Sequence, residues 1–201
     1  MTTPRRSDTT PRQPGAGDDD RRDGEIVVFC PDQTATRALA SRLAAILQPG
    51  DVVLLEGDLG AGKTAFTQGL ASALGVESEV TSPTFTLMNI YATTAGFDLV
   101  HVDVYRLERL SEVVDLALPE MIEDGAVAVV EWGERAAAAL PGPHLFISIE
   151  RGGPEPERGG PEPETVERGD EETSRTFRLR PSGAAWDARR PRLASIAGGA
   201  G

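Results

Sequence analysis

The sequence predicts an α/β protein with a mainly parallel central sheet, helices flanking that sheet, and antiparallel strands near the C-terminal end. Short apolar runs alternate with stretches that place apolar residues at helical spacing. One run, "DVVLLEG", is apolar on both faces, which is typical of a central parallel strand. It leads directly into a glycine-rich turn followed by an amphipathic helix, which indicates a ligand-binding α/β fold.

The first half of the chain is predicted to form strand, helix, strand and helix. "EIVVFC" is a short apolar strand, and the residues after it place leucines four apart until a Pro-Gly stop. After the glycine-rich turn, Phe66, Leu70 and Leu74 are also four apart, which predicts a helix from near Lys63 to Gly75.

The second half continues the alternation. "TFTLMNIYAT" and "DLVHVDVYRL" are strand-like runs joined by a turn, and a helical stretch containing Leu110 and Leu118 follows. "GAVAVVEWGE" is a buried strand, "RAAAALPG" a short helix, and "HLFISIE" and "RTFRLRP" are further strands.

The composition of the 201-residue chain predicts one folded domain with a leader, an insertion and a tail. Residues 1–24 are predicted to be a disordered leader, and residues 25–150 the folded domain. Residues 151–172, in which "RGGPEPE" occurs twice, are predicted to be a disordered insertion in a hairpin. The final strand is placed in residues 173–185, and residues 186–201 are expected to be a flexible tail.

Charge and cysteine content exclude several classes of protein. The formal charge is −12, and residues 25–149 contain 17 acidic against six basic side chains, which argues against direct nucleic-acid binding by this region. Cys30 is the lone cysteine, so it forms no internal disulfide, and we expect it to be buried in a strand. No stretch approaches the roughly 18 apolar residues of a membrane span, so we expect a soluble cytoplasmic protein.

The glycine-rich turn "GDLGAGKT" fits the G-x-x-x-x-G-K-[ST] pattern of phosphate-binding loops. Its three glycines permit positive φ, so consecutive backbone N–H groups point at a phosphate, and the following helix adds its N-terminal donors. Lys63 is expected to reach the β- and γ-phosphates, and the Thr64 hydroxyl to ligate Mg²⁺. The predicted loop contacts with nucleotide are Gly57, Asp58, Leu59, Gly60, Ala61, Gly62, Lys63 and Thr64.

Lys63 is the only lysine in a chain whose other basic side chains are all arginine. A compact ammonium fits into a ring of backbone amides around a phosphate, whereas a planar guanidinium is wide and rigid. The sequence also contains no lysine after position 63, which excludes the N-K-x-D element of guanine readers. We therefore expect ATP, with Mg²⁺, as the bound nucleotide.

Two carboxylates follow apolar strands, where parallel strands deliver side chains to a ligand crevice. Glu131 ends "VAVVE" and is predicted to be a Mg²⁺ ligand, with a surface glutamate as the alternative. Asp103 in "HVDVYRL" is predicted to act on Mg²⁺ directly or through water, or else to pair with Arg106 or make a structural hydrogen bond. His101 is expected to be structural.

"TSPTF", residues 81–85, lies between the loop helix and the next strand, where hydrolytic P-loop proteins often carry a switch. Ser82 and Thr84 offer hydroxyl groups that could sense a γ-phosphate. An ordinary helix-to-strand turn is the alternative interpretation.

Four stretches in order, "GDLGAGKT", "SPTF", "HVDVYRL" and "EWGE", resemble the TsaE (YjeE) family. The resemblance implies a compact P-loop ATPase of bacterial tRNA threonylcarbamoyladenosine synthesis. It also implies that the protein acts with TsaB and TsaD, meets tRNA only through that complex, and has low turnover alone.

The resemblance also implies roles for individual residues. Thr64 and Glu131 match the family's Mg²⁺ ligands, and Asp103 matches the aspartate of its H-x-D-x-Y-R motif, which together with Lys63 gives four predicted catalytic residues. Thr34 in "PDQT" matches a threonine that contacts the nucleotide. Trp132 matches a tryptophan beside the active site.

Two other classes of protein remain open at the level of sequence. A small-molecule kinase could use the same loop, but such kinases close an arginine-rich lid, and only Arg106 and Arg109 lie between Arg42 and Arg135. A nucleotide-regulated scaffold without meaningful turnover is the third class.

Overall fold

A computed structural model describes residues 24–107, 110–153 and 173–198. The predicted leader, apart from Gly24, and nearly all of the predicted insertion lie outside these ranges. The strands are β1 (Ile26–Cys30), β2 (Val52–Glu56), β3 (Met88–Tyr91), β4 (Leu99–Asp103), β5 (Val127–Glu131), β6 (His144–Arg151) and β7 (Arg175–Pro181). The α-helices are α1 (Gln33–Ala44), α2 (Lys63–Ala73), α3 (Leu110–Asp115), α4 (Leu118–Glu123) and α5 (Ala184–Gly198).

The described strands form one sheet in the order β1-β7-β6-β2-β5-β4-β3. β6, β2, β5 and β4 are parallel neighbours, whereas β3, β7 and β1 are antiparallel to the strands beside them. The predicted fold, mainly parallel with antiparallel C-terminal strands, is confirmed. Of the described helices, none has both the length and the apolarity to cross a bilayer.

β2 lies in the middle of this sheet because its side chains are apolar on both faces. Val53 and Leu55 belong to the core under α1, α2 and α5, and Val52 and Leu54 to the core under α3 and α4. All four are fully buried. A strand covered on both sides suits the parallel pairing that carries the chain into the glycine-rich loop.

Several predicted elements differ in detail from the structure. "RAAAALPG" does not form an α-helix; two 3₁₀ helices, Gly133–Arg135 and Ala137–Ala139, occupy this region. The helical stretch after β4 is divided into α3 and α4 at Ala117, which has a positive φ of 55°. Cys30 is fully buried in β1 as predicted, and burial raises the pKa of its thiol to about 11.

The expectation of a flexible tail over residues 186–201 is wrong up to Gly198, because α5 packs against the sheet through these residues. Trp186, Leu193 and Ile196 are buried and lie on one helical face. The spacing of these three residues was a readable signal. Pro191 inside the helix and the many small residues around it obscured that signal.

A buried ion pair attaches α5 to the start of β2. The Arg189 guanidinium donates to both carboxylate oxygens of Asp51, at 2.5 and 2.6 Å, and to the Ile46 carbonyl at 3.1 Å. One face of the guanidinium stacks on the Trp186 ring, with Cζ 3.9 Å from the ring centroid. Because Asp51 immediately precedes β2, this pair anchors the strand that leads to the loop.

Replacing Arg189 with methionine should lower the free energy of unfolding by about 3–5 kcal/mol, because a buried carboxylate loses its partner. Urea unfolding measures the change. Arg190→Met is the control; Arg190 is partly exposed and pairs loosely with Asp187 at 3.6 Å, so the expected loss is within about 0.5 kcal/mol. Equal losses in the two variants would contradict an anchoring role.

Candidate functional site

The glycine-rich loop connects β2 to α2 with three glycines in positive-φ conformations. The φ angles are 144° at Gly57, 76° at Gly60 and 111° at Gly62. Gly57 is also sterically required, since a Cβ atom there would lie 2.5 Å from the carbonyl oxygen of Ile149. The backbone therefore turns tightly at the end of β2, as the motif predicts.

Lys63 begins α2 and folds its side chain back into this loop. Its Nζ donates to the carbonyl oxygens of Gly57 at 2.6 Å and Asp58 at 3.1 Å. The ammonium also lies 3.9 Å from the centroid of the Trp132 ring. The residue is only 5% exposed, so the loop encloses the one ammonium side chain of the sequence.

Burial lowers the pKa of Lys63, because a charged ammonium loses hydration there. The carboxylates of Glu131, Glu56, Asp103 and Asp58 act in the opposite direction and favour the charged form. Negative charge around the loop thus supports the cation that the loop encloses.

The Thr64 hydroxyl and the Glu131 carboxylate meet beside the loop. Thr64 Oγ1 donates to Glu131 Oε1 at 3.0 Å, and His101 Nε2 lies 2.9 Å from the same oxygen. A hydrogen on Nε2 makes His101 the donor, and its Nδ1 is buried with no hydrogen-bond partner among the described residues. His101 is fully buried in β4, so its contact fixes the position of Glu131.

Asp103 binds the predicted switch segment. Its Oδ2 accepts a hydrogen bond from Thr84 Oγ1 at 2.6 Å, and Thr84 lies 2.8 Å from Ser82 Oγ. Its Oδ1 accepts from the Tyr105 backbone N–H at 2.9 Å. The structure does not contain the alternative pair of Asp103 with Arg106, because the Arg106 guanidinium stacks over the Phe85 ring.

Trp132 closes one side of the loop with an unusual backbone. Its φ is +60°, and its ring packs 5.0 Å from the Tyr105 ring while facing Lys63. The next residue must be glycine, because a Cβ at Gly133 would lie 2.8 Å from the Leu54 side chain. Tight packing on β2 therefore brings Trp132 back over the loop.

These groups line one cavity of about 200 Å³ at the carboxyl edge of the parallel strands. Its lining consists of Leu59, Gly60, Gly62, Lys63, Thr64, Ala65, Ser82, Thr84, Asp103, Glu131 and Trp132. A larger concavity of about 580 Å³ lies at the opposite edge of the sheet, and Asp98 and Asp124 are the only charged residues of its lining. Ligands of open α/β sheets bind at the carboxyl edge, so the smaller cavity is the candidate site.

The structure brings together most of the residues singled out from the sequence, with Thr34 as an exception. Thr34 is exposed in the first turn of α1 and is not part of the cavity lining, so its contact with a nucleotide stays a prediction. Sequence reasoning missed the bond from His101 to Glu131. The "HVD" pattern placed His101 two residues from Asp103, but nothing in it indicated a contact with the neighbouring strand.

Among the described residues, no group of three or more His, Cys, Asp or Glu side chains is arranged to hold a metal ion alone. Thr64, Glu131 and Asp103 instead offer oxygen atoms at the rim of the phosphate loop. This donor set suits a hard cation that takes its remaining ligands from phosphate and water.

The parallel sheet, the glycine-rich loop and the helix that begins at its lysine define the P-loop NTPase fold. Comparisons with known proteins narrow this class. The family model described as "Threonylcarbamoyl adenosine biosynthesis protein TsaE" matches residues 30–158. The chain belongs to the TsaE family, as its four motifs indicate.

Individual relatives agree with this assignment. The tRNA threonylcarbamoyladenosine biosynthesis protein TsaE of Bacillus subtilis is 48% identical over 118 residues, covering 59% of this chain and 73% of that protein. The Streptomyces coelicolor protein of the same name is 47% identical, over 57% of this chain and 78% of its own length. The crystal structure of Bacillus subtilis YdiB superposes with a TM-score of 0.63 at 30% identity, covering 85% of this chain and 95% of that one.

Proposed function

We propose that this protein is the Mg²⁺-dependent ATPase of a tRNA threonylcarbamoyladenosine modification system and acts with TsaB and TsaD. One observation carries the proposal. The Thr64 hydroxyl and the Glu131 carboxylate lie 3.0 Å apart beside a phosphate loop that encloses the Lys63 ammonium. A pair of metal ligands next to a phosphate-binding loop is the arrangement that P-loop hydrolases require.

The residues fit a magnesium ion bound together with a triphosphate. Mg²⁺ is held in such sites by one or two carboxylates plus phosphate oxygens and water, and Thr64, Glu131 and Asp103 provide the protein's share. The cavity of about 200 Å³ is smaller than the roughly 300 Å³ that encloses a whole small ligand. It therefore suits the triphosphate end, with the nucleoside on the open surface.

The proposed chemistry is phosphoryl transfer to water. Bound Mg²⁺ would neutralise charge that develops on the phosphate oxygens. Lys63 would bind the same oxygens from the loop, and the hydrogen-bonded pair of Thr84 and Asp103, which lines the cavity, would position the attacking water. Positioning and charge stabilisation account for most of the catalysis in this class of reaction, so no strong general base is required.

Coupling to partners is tested by phosphate release from the purified chain with and without TsaB and TsaD. We expect low turnover alone and faster release with both partners. A complex that adds no stimulation would contradict coupled hydrolysis. Phosphorylation of a metabolite in the absence of partners would instead favour a kinase.

Lys63→Arg should reduce ATP turnover by at least about 100-fold although the charge is kept, because the wider guanidinium does not fit between two carbonyls and the Trp132 ring. Phosphate release measures the effect. Arg135→Lys is the control, because it exchanges the same two residue types in reverse at an exposed position. This variant should keep wild-type turnover. Wild-type turnover in Lys63→Arg would contradict the role given to the ammonium.

Glu131→Ala should lower Mg²⁺-dependent hydrolysis by about 100-fold while changing nucleotide affinity in EDTA by less than about threefold. Hydrolysis depends on the metal ligand, whereas nucleotide binding in EDTA does not. Phosphate release and equilibrium binding give the two numbers. Glu134→Ala, which removes an exposed glutamate three residues further along the chain, is the control. Equal loss of both quantities in Glu131→Ala would place this carboxylate elsewhere than on the metal.

Two substitutions of His101 test whether its hydrogen-bond donor, rather than the size of its side chain, positions Glu131. His101→Gln keeps a donor near the Nε2 position and should need less than about threefold more Mg²⁺ for half-maximal hydrolysis. His101→Asn places its donor near Nδ1 and should need at least about tenfold more. Thermal unfolding checks that both variants are folded. The same Mg²⁺ requirement in both variants would show that the bond to Glu131 does not position the metal ligand.

A further inference from the structure

Two arginines contact the phosphate loop from outside the cavity. Arg151, the last residue of β6, donates from Nη2 to the Leu59 carbonyl at 3.0 Å. Arg175, the first residue of β7, donates from Nε to the Ala61 carbonyl at 2.6 Å and from Nη2 to the Gly60 carbonyl at 3.4 Å. The β6–β7 hairpin thus ends against three successive carbonyls of the loop.

These contacts fix which way the loop's N–H groups point. In a trans peptide the C=O and N–H bonds point in opposite directions, and no peptide bond of the described residues is cis. The arginines hold the carbonyl groups of Leu59 and Ala61 outward. The N–H groups of Gly60 and Gly62, which belong to the same two peptide bonds, therefore point in the opposite direction. Both glycines line the cavity, so these N–H groups face the position expected for phosphate.

The arrangement brings two positive charges together behind the loop. Burial and the charge of Arg151 both lower the pKa of Arg175, although a guanidinium remains charged in proteins. Arg178, three residues further along the same strand, pairs with Glu25 at 3.2 Å and Glu150 at 3.5 Å. Repulsion between the first two guanidinium groups is offset by the peptide carbonyls, and an anion in the cavity would relieve it further.

We infer that Arg151 and Arg175 are positioning residues that hold the phosphate loop in its anion-binding conformation. This inference rests on the proposed nucleotide-binding function of the loop. The arginines act through the peptide planes of the loop and do not line the cavity themselves. Their effect should therefore be on the affinity for nucleotide phosphates.

Arg151 is the first residue of the first "RGGPEPE" copy, and Arg175 follows the end of the predicted insertion. Arg151 and Arg175 are paired in the β6–β7 register, and Gly152 N–H donates to the Ser174 carbonyl at 3.0 Å. Joining Gly153 to Thr173 would therefore close the hairpin with a two-residue Gly-X turn, a favoured type. This geometry allows residues 154–172 to be deleted while Arg151 and Arg175 keep their places in the hairpin.

The first experiment compares Arg175→Ala with Arg178→Ala by equilibrium binding of fluorescent ADP and by competition with ATP and AMP. Arg175→Ala should weaken ADP and ATP binding about tenfold and AMP binding much less, since AMP lacks the β-phosphate that the loop encloses. Arg175→Lys should recover part of the loss by keeping the charge. Arg178→Ala should match the wild type.

A second comparison uses deletions. Removal of residues 154–172 should leave ADP affinity within about twofold of wild type, whereas the same deletion combined with Arg151→Ala should weaken it about tenfold because the Arg151 guanidinium is lost. Thermal unfolding without nucleotide verifies that each variant folds.

The possible failures are distinguishable. If the wild-type chain binds neither ADP nor ATP, the proposed function fails and the inference falls with it. If the wild type binds both but Arg175→Ala binds them equally well, or loses AMP and ADP affinity to the same extent, the inference alone is overturned.

Discussion

The parallel register of β5 between β2 and β4 is the constraint on which the site depends. Glu131 lies opposite Leu55 on one side and Asp103 on the other, so both carboxylates reach the same edge at which β2 enters the loop. A shift of one residue would turn Glu131 to the other face of the sheet. The buried apolar side chains of these strands hold the register, so the core also determines the positions of the polar groups.

Among the described residues, each buried charged side chain has at least one hydrogen-bond partner. Lys63 is held by two carbonyls and the Trp132 ring, and Glu131 accepts hydrogen bonds from Thr64 and His101. Burying an unpaired charge would be costly, so these contacts restrict the groups to few positions. The site is preorganised, which is what catalysis by positioning requires.

Sequence patterns predicted the parts of the fold that depend on local spacing. The apolar run of β2, the loop glycines and Glu131 at a strand end were all readable, because strand ends and motifs fix their places. The contact of His101 with Glu131 and that of Arg175 with Ala61 join residues 30 and 114 positions apart, and only the sheet order brings them together. The buried face of α5 was present in the sequence but was hidden by Pro191 and small residues.

The proposed function requires that this edge of the sheet binds a nucleoside triphosphate through the loop around Lys63. Isothermal titration calorimetry of the purified chain with Mg·ATP, and separately with Mg·GTP, tests it most directly. We expect one Mg·ATP site per chain and weaker binding of Mg·GTP, since the sequence has no N-K-x-D guanine-reading element. No measurable binding of Mg·ATP to the folded chain would contradict it.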